Sequence, residues 1–453
     1  MEALSFSYIW LGRAAMAAAP AGACGCWRRA RRARVQPPTP PRGSRRAAAR
    51  ACEGAAGARD AAALALFSEC SGGAAVAVPA APSAARGRAL VASRAAGAGS
   101  VLLRVPDALA LCVGGARVAV PRGRWPRLRR GVEAGGALPA EVHLARALLD
   151  ARAGEGGGGL WGDYVGRVLP RREELTMPLV AEDATLGLLA EGDALRAEVE
   201  AERGTLRVLG GDLEAEEDLE WAFALARSRA LTAGGGWAAM VPGVDLANHA
   251  ASPSADYRCF GVITPPRSGE RLGFREEQDP DAFELVALRD IAEGEEICIC
   301  YGSGAEEWTL GRTFAQYGFC EDAQIVPVAE ALGGGRAVSA DDAAIEAAGV
   351  ALKGAYGGDA AAEQRAASAA TALRAARALD LAEGGGGMLT ASIAAGRADE
   401  AAAAAEEAAD AARARAVAGG LAGVAIDACL QYNDRRAAAL ATYADLLEAL
   451  TTA

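Results

Sequence analysis

The sequence predicts an α+β protein: a β-rich core, a helical insert within that core, and an all-α C-terminal region. Three patterns carry this reading. Short apolar runs bounded by turn residues occur at 88–105 and 284–301. Residues 140–230, between them, carry apolar side chains mainly at helical spacing. From about residue 338 the pattern is helical and alanine-rich. That order of strands and helices suggests an α+β architecture.

Taken in order, the run RALVASRAAGAGSVLLRV reads as two short strands around a Gly/Ala turn. Val101, Leu103 and Val105 alternate onto one face, and Pro106 ends the run. His143 falls on a predicted helix at 141–152 and reads as structural or exposed. The segment 214–231 is acidic at its start and places Leu219, Ala222, Phe223, Ala226 and Ala230 on one helical stripe. ELVALRDIAEGEEICICY reads as a hairpin about the turn Ala292-Glu293-Gly294-Glu295, with Ile297, Ile299 and Tyr301 on one face. The clearest tail helices are at 365–382, 399–418 and 432–450. Glycine runs at 154–159, 333–335 and 384–387 are too long for tight turns and read as flexible breaks. The expected organisation is 1–59 outside the fold, a core domain at 60–322 with its insert at about 126–225, and a helical domain at 323–453.

Composition narrows the function. A chain of 453 residues suggests two or three domains. Hydrophobic residues make up 52% but aromatic ones only 5%, so alanine supplies much of the apolar count. No long charge-free apolar stretch predicts a membrane helix. A net charge of -11 argues against a general nucleic-acid binder. The two histidines, His143 and His249, exclude a multi-histidine metal site. Ten cysteines form no CxxC pair, and Cys298 with Cys300 on one strand face cannot alone complete a zinc site, so no metal is expected. Buried thiols in a reducing compartment are the simpler reading. Lys353 is the only lysine, which with the Ala and Gly excess points to GC-biased coding, so Ala-rich tracts are discounted as functional signals.

The acidity is uneven. Residues 1–50 hold ten arginines and one acid, Glu2. An Arg- and Ala-rich, acid-poor N-terminus has the composition of an organelle transit peptide; the plain alternative is a disordered basic tail. Met16 offers a second start. The expected location is the chloroplast stroma, with mitochondrion or cytosol as alternatives.

Four segments are candidates for chemistry. Arg86-Gly87-Arg88 precedes a strand, where glycine lets a ligand approach the backbone; alone, it reads equally as a turn. Arg227-Ser228-Arg229 lies at a helix end, where a basic terminus is favoured by the dipole whatever its function. MVPGVDLANH brings Asp245, Asn248 and His249 together after an apolar run. Such groups can fix a polar ligand, and an isolated DxxNH also reads as a strand ending in a turn. Tyr301-Gly302 and Tyr317-Gly318-Phe319 read as two turns bearing core aromatics, or as the wall of a site.

In this order, the blocks GRALVASRAAGAGSVLLRVP, WGDYVGRVLP, MPLVAEDATLGLLAEGDALRAEV, WAFALARSRAL, VPGVDLANHA and EGEEICICYG resemble a SET-domain protein-lysine methyltransferase of the plastid Rubisco large-subunit methyltransferase-like family. The resemblance runs from about residue 61 to 320 and is fainter in the tail. It implies a SET β-rich core with a helical insert and an all-α C-terminal substrate-binding domain. It implies that Arg86, Gly87, Arg88, Asn248 and His249 hold S-adenosylmethionine, that Tyr301 is the catalytic tyrosine, and that Arg229, Asp245 and Tyr317 border the target-lysine channel together with Tyr301. Phe319 packs nearby. Ala89 stands where many members have a second glycine. The implied function is S-adenosylmethionine-dependent methylation of a lysine on a plastid protein such as the Rubisco large subunit or fructose-bisphosphate aldolase. The alternatives are a non-plastid relative acting on ribosomal, actin or histone substrates, and a catalytically silent SET-fold binding module. The expected partner is a protein presenting a lysine, with no nucleic acid and no membrane, and the chain is expected to be a monomer. The loops around 87, 248, 301 and 317 are expected to converge on a tunnel open at both ends.

Overall fold

A computed structural model of the chain describes residues 76–77, 89–114, 117–121, 123–133, 138–155, 160–189, 194–210, 215–233, 237–259, 273–275, 282–302, 308–334, 337–383 and 388–452. They divide into two units. The first draws on Met1–Val168 and Arg229–Ile299, the second on Leu169–Ser228 and Cys300–Ala453. Among the described residues, no helix is long and apolar enough to cross a membrane.

The first unit is built on short strands. β1 (Val76–Ala77) pairs antiparallel with β2 (Val91–Ala92). β3 (Val101–Pro106) belongs to a three-stranded antiparallel sheet. β4 (Leu111–Gly114), β5 (Arg117–Ala119), β6 (Leu231–Ala233) and β7 (Trp237–Met240) belong to a five-stranded one. β8 (Asn248–His249), β9 (Ala255–Cys259), β10 (Gly273–Arg275), β11 (Ala282–Ala287) and β12 (Cys298–Ile299) follow. The sheet orders are β10-β5-β4-β7-β6, β3-β11-β9 and β12-β8. Central strands β4 and β7 carry Leu111, Cys112, Val113, Ala238, Ala239 and Met240, all buried. This is the apolar content expected of strands covered on both faces.

Among the described helices of this unit are α1 (Pro126–Glu133) and α2 (Ala140–Arg152). α2 packs on β4, β7 and α1, and every residue from Glu141 to Ala151 is buried. Its polar members therefore need partners. Asp150 supplies one set: its carboxylate accepts from the backbone N–H of Arg127 at 3.0 Å and of Leu128 at 3.1 Å. A side chain from α2 thus caps the first turn of α1. His143, expected to be structural or exposed, is fully buried. Burial, with the charge of Arg146 beside it, lowers its pKa to about 4.

Two local expectations are corrected here. Leu103 and Val105 are buried as expected, but Val101 is 42% exposed and Leu102 is buried instead. The pairing of β3 with β11 shifts between Leu285 and Val286, which pair with Leu103 and Val101, leaving Leu102 as the extra residue of a bulge. A bulge reverses side-chain alternation beyond it. The hairpin expected at 284–301 also fails to form. Its turn exists: the N–H of Glu295 donates to Ala292 O at 3.1 Å, and Gly294 has φ +76°. Its arms diverge, because β3 and β9 already occupy both edges of β11. β12 pairs instead with β8, in parallel.

The second unit is helical: α3 (Ala194–Gly210), α4 (Glu216–Arg229, whose last residue clusters with the first unit), α5 (Leu310–Tyr317), α6 (Asp342–Ala355), α7 (Ala360–Ala382), α8 (Ala391–Ala418) and α9 (Val424–Thr452). α4 departs from its expected single stripe. Every residue from Leu219 to Ala226 is buried, so both its faces are covered. Trp221 Nε1 donates to Pro170 O at 3.0 Å, and Arg227 pairs with Glu202 of α3 at 2.7 Å. α6, α7 and α8 begin at the side-chain caps Asp341, Asp359 and Thr390. The last two helices start earlier than their apolar pattern suggested. α8 and α9 pack together, and α8 buries Ala394, Ala398, Ala405, Ala409, Ala412 and Ala416. Side chains this small let helix axes approach closely. Phe314 of α5 stacks on Tyr432 of α9, ring centres 4.9 Å apart. Strands β13 (Ala337–Val338) and β14 (Met388–Leu389), absent from the sequence reading, form a parallel pair.

Candidate functional site

In the first unit, the segment following β7 runs through Val241–Ala247, every residue of it buried. Gly243 has φ +89°, a conformation that favours glycine. Its N–H donates to Asp245 Oδ1 at 2.9 Å and to the Tyr164 hydroxyl at 3.0 Å, and that hydroxyl donates to Asp245 Oδ1 at 2.5 Å. Tyr164 is fully buried and opens a five-residue π-helix, Tyr164–Val168. Arg229 Nη1 donates to the Asp245 carbonyl at 2.9 Å and lies 3.9 Å from Oδ2. Burial raises the pKa of the Asp245 carboxyl, opposed by Arg229, Tyr164 and Gly243. Burial, reinforced by Asp245, pushes the Tyr164 phenol well above its ordinary value.

Three residues on, Asn248 and His249 form β8. In the parallel register Asn248 lies opposite Cys298 and His249 opposite Ile299. Asn248 is half-buried and His249 buried. Asn248 Nδ2 donates to Glu296 Oε1 at 2.9 Å. Glu296 itself forms a bridge with Val91, flanked by Ile297 N to Leu90 O at 2.7 Å and Ala92 N to Glu295 O at 2.9 Å. Segments 89–92, 248–249 and 295–299 therefore lie side by side, joined by backbone hydrogen bonds. Ser254 Oγ secures the third of them by accepting from Cys298 N at 2.9 Å.

In the second unit, four aromatic rings form a cluster. Tyr301 lies 4.8 Å from Tyr317 and 6.5 Å from Phe319, centre to centre, and Trp308 lies 5.8 and 6.2 Å from the same two. Trp308 Nε1 donates to Glu321 Oε2 at 3.0 Å. Gln316 Nε2 donates to the Tyr317 hydroxyl at 3.0 Å. Gly318, at φ +76°, ends α5. A Cβ there would lie 2.2 Å from Thr176 Oγ1 and 2.8 Å from Met177 N, so the turn between Tyr317 and Phe319 requires glycine on two counts.

Residues 87–302 match the family model of the SET domain. The chain carries a SET domain. The SET-domain region contains Asp245, Asn248, His249, Glu296 and Tyr301, whereas Trp308, Tyr317 and Phe319 lie just beyond it. No curated protein matches the chain. Among solved structures, the SET domain of LSMT bound to lysine and AdoHcy aligns at TM-score 0.46 and 15% identity, covering 86% of this chain and 91% of that one. Rubisco LSMT bound to AdoMet gives the same values, and Rubisco LSMT bound to sinefungin and monomethyllysine gives 0.45 and 15%, with the same coverage.

Of the site residues singled out from sequence, Arg86, Gly87 and Arg88 lie outside the described residues. Ala89 and Leu90, which follow them, are buried. Arg229, Asp245, Asn248 and His249 belong to the first unit, Tyr301 and Tyr317 to the second. The structure joins Arg229 to Asp245 and Tyr301 to Tyr317. The sequence reading missed Tyr164, Glu296, Trp308 and Gln316 as contacts of these residues. Tyr164 and Glu296 reach partners 81 and 48 positions away, so no local pattern signals them. Gln316 directly precedes Tyr317 in the sequence, so adjacency alone could have signalled it.

The chemistry of the Asn248–Glu296 pair fits the amino-acid end of S-adenosylmethionine. An amide whose nitrogen faces a carboxylate turns its oxygen the other way, and together they offer acceptors and negative charge to an ammonium group.

Proposed function

We propose that this chain is an S-adenosylmethionine-dependent protein-lysine N-methyltransferase acting on a plastid protein such as the Rubisco large subunit or fructose-bisphosphate aldolase. The observation that carries the reading is the SET-domain match over 87–302, with Asn248, His249 and Tyr301 inside it. Solved structures of similar shape include one named as bound to AdoMet and one to monomethyllysine.

S-adenosylmethionine, when bound, supplies an electrophilic methyl group on sulfur. Asn248 and His249 would hold it, together with Arg86, Gly87 and Arg88 as the resemblance implies. The nucleophile is the neutral amine of lysine, whose ammonium form has a pKa of ~10.4, so the channel has to disfavour the charged form. The rings of Tyr301, Tyr317, Trp308 and Phe319 offer the apolar wall that does this by desolvation. The hydroxyls of Tyr301 and Tyr317 accept the amine N–H and orient its lone pair; Gln316, donating to Tyr317, fixes which way that hydroxyl faces. Alignment of amine, methyl carbon and sulfur contributes ~7–11 kcal/mol through proximity and orientation. No strong side-chain base is required. In the sequence only one residue separates Ile299, in the strand beside His249, from Tyr301.

Mass spectrometry of chloroplast proteins with and without this gene product tests the proposal. The expected result is at least one methyl-lysine that disappears without it. An unchanged set, with no label transferred from tritiated S-adenosylmethionine in a plastid lysate despite cofactor binding, would favour a silent binding module. A fluorescent fusion of residues 1–59 that stays outside plastids would remove the plastid part of the reading.

A further inference from the structure

Within the second unit, α9 meets the segment carrying the aromatic cluster twice. Tyr432 and Arg435 stand three positions apart on α9, and so on one face of the helix. Tyr432 stacks on Phe314, three residues before Tyr317, with ring centres 4.9 Å apart. The Arg435 guanidinium takes hold of the chain just after Phe319. Its Nη1 donates to Cys320 O at 2.6 Å, and its Nε donates to Asp322 Oδ1 at 2.7 Å. Between those two contacts lies Glu321, whose carboxylate accepts from Trp308 Nε1 at 3.0 Å. Arg365 of α7 donates to the Asp322 carbonyl, so a second tail helix backs the same stretch. The turn itself has no slack, since Gly318 lies too close to Thr176 and Met177 to carry even a Cβ.

We propose that Arg435 is a positioning residue for the amine-binding aromatic wall, holding the exit of the Tyr317–Phe319 turn so that methyl transfer depends on a C-terminal helix. This inference rests on the methyltransferase reading and deepens it, giving α9 a part in the chemistry besides any docking of the protein substrate. The Asp322 carboxylate is 66% exposed, and an ion pair to so exposed a group adds little stability. The value of the contact is therefore geometric. A guanidinium is a rigid planar fork, and here it grips a backbone carbonyl and a carboxylate two residues apart at once, which the single point of charge of an ammonium does less well. With both ends of the turn fixed to one helix, Tyr317 and Phe319 keep their spacing from Tyr301, and Glu321 keeps Trp308 against them.

Full-chain Arg435→Ala, Arg435→Lys and Arg436→Ala are compared with wild type. Initial rates of methyl transfer from tritiated S-adenosylmethionine are measured against increasing amounts of plastid lysate, with cofactor affinity from calorimetry and thermal midpoints alongside. Misplaced rings misalign the amine, so Arg435→Ala is expected to lower the plateau rate roughly tenfold, while the half-saturating amount of lysate and the cofactor affinity each change less than about twofold. Arg435→Lys keeps the charge without the fork and recovers part of the rate. Arg436→Ala removes an ion pair to Glu330 from the same helix and keeps the plateau rate. Equal losses in Arg435→Ala and Arg436→Ala would mean general loosening and overturn the proposal. An undiminished plateau overturns it too, as does a rise in the half-saturating amount alone, the mark of a docking role. If Arg435→Ala does not fold, Arg435→Lys decides at an unchanged thermal midpoint: a reduced plateau supports the assignment, and wild-type turnover overturns it. Wild type that transfers no label to the lysate would instead overturn the methyltransferase reading.

Discussion

At the scale of single residues, the two units hold different kinds of side chain. In the first, polar groups are locked by specific partners: Asp245 by Tyr164, Gly243 and Arg229, and Asn248 by Glu296. In the second, aromatic faces pack against one another around Tyr301 and Tyr317. The first arrangement suits holding a polar ligand, the second suits stripping water from an amine. Two substitutions separate the roles. Asn248→Ala leaves ligand groups unpaired and is expected to weaken S-adenosylmethionine binding by ~1–3 kcal/mol. Calorimetry checks it, and undiminished affinity would remove Asn248 from the cofactor site. Tyr301→Phe keeps the ring contacts with Tyr317 and Phe319 and removes only the hydroxyl. It is expected to abolish most methyl transfer with little change in thermal midpoint; full turnover in this variant would refute the role assigned to Tyr301.

At the scale of elements, hydrogen bonds between distant segments outrank local pattern. α1 has the helical residues to form, yet its first turn is completed by Asp150 from α2. Asp150→Ala leaves the buried Leu128 N–H without that acceptor and is expected to cost ~1–2 kcal/mol, seen as a lower urea midpoint. Asp150→Asn retains a side-chain acceptor and should recover part of the loss; no difference from Ala would mean that the cap is not the source of the effect. The same principle explains where the sequence reading was accurate. The tail helices were readable because alanine and leucine favour the helix throughout. Their true starts, at the caps Asp359 and Thr390, lie roughly two turns before the helix starts read from the apolar pattern. The hairpin at 284–301 misled because its turn is locally correct, while the partners of its arms are chosen by edges that only the assembled sheet presents.

At the scale of the whole molecule, the buried His143 links stability to pH. Its folded pKa of about 4 lies below the ordinary 6.5, so the unfolded chain takes up a proton that the folded chain refuses. The sign follows from that difference. The contribution of neutral His143 is complete above pH 6.5 and is lost as pH falls from 6.5 to about 4, amounting to ~3 kcal/mol across the window. Unfolding midpoints measured at neutral pH and near pH ~4.5 should therefore fall less for His143→Leu than for wild type. An identical acid slope in both would show that His143 does not carry the dependence.

Composition, spacing and short-range preference predict the segregation into strands and helices and the existence of the tail helices, because these are properties of neighbouring residues. The resemblance of the ordered motifs to a known family names Asp245, Asn248, His249, Tyr301 and Tyr317. Folding in three dimensions adds that Asn248 is held by Glu296, that Asp245 is held by Tyr164, and that Trp308 joins the tyrosine cluster. The first two pairings are fixed by the meeting of segments 48 and 81 positions apart, and the third by the packing of rings on either side of the start of α5. The energy that selects them comes from burying polar groups with satisfied partners, which no local stretch of chain can do alone.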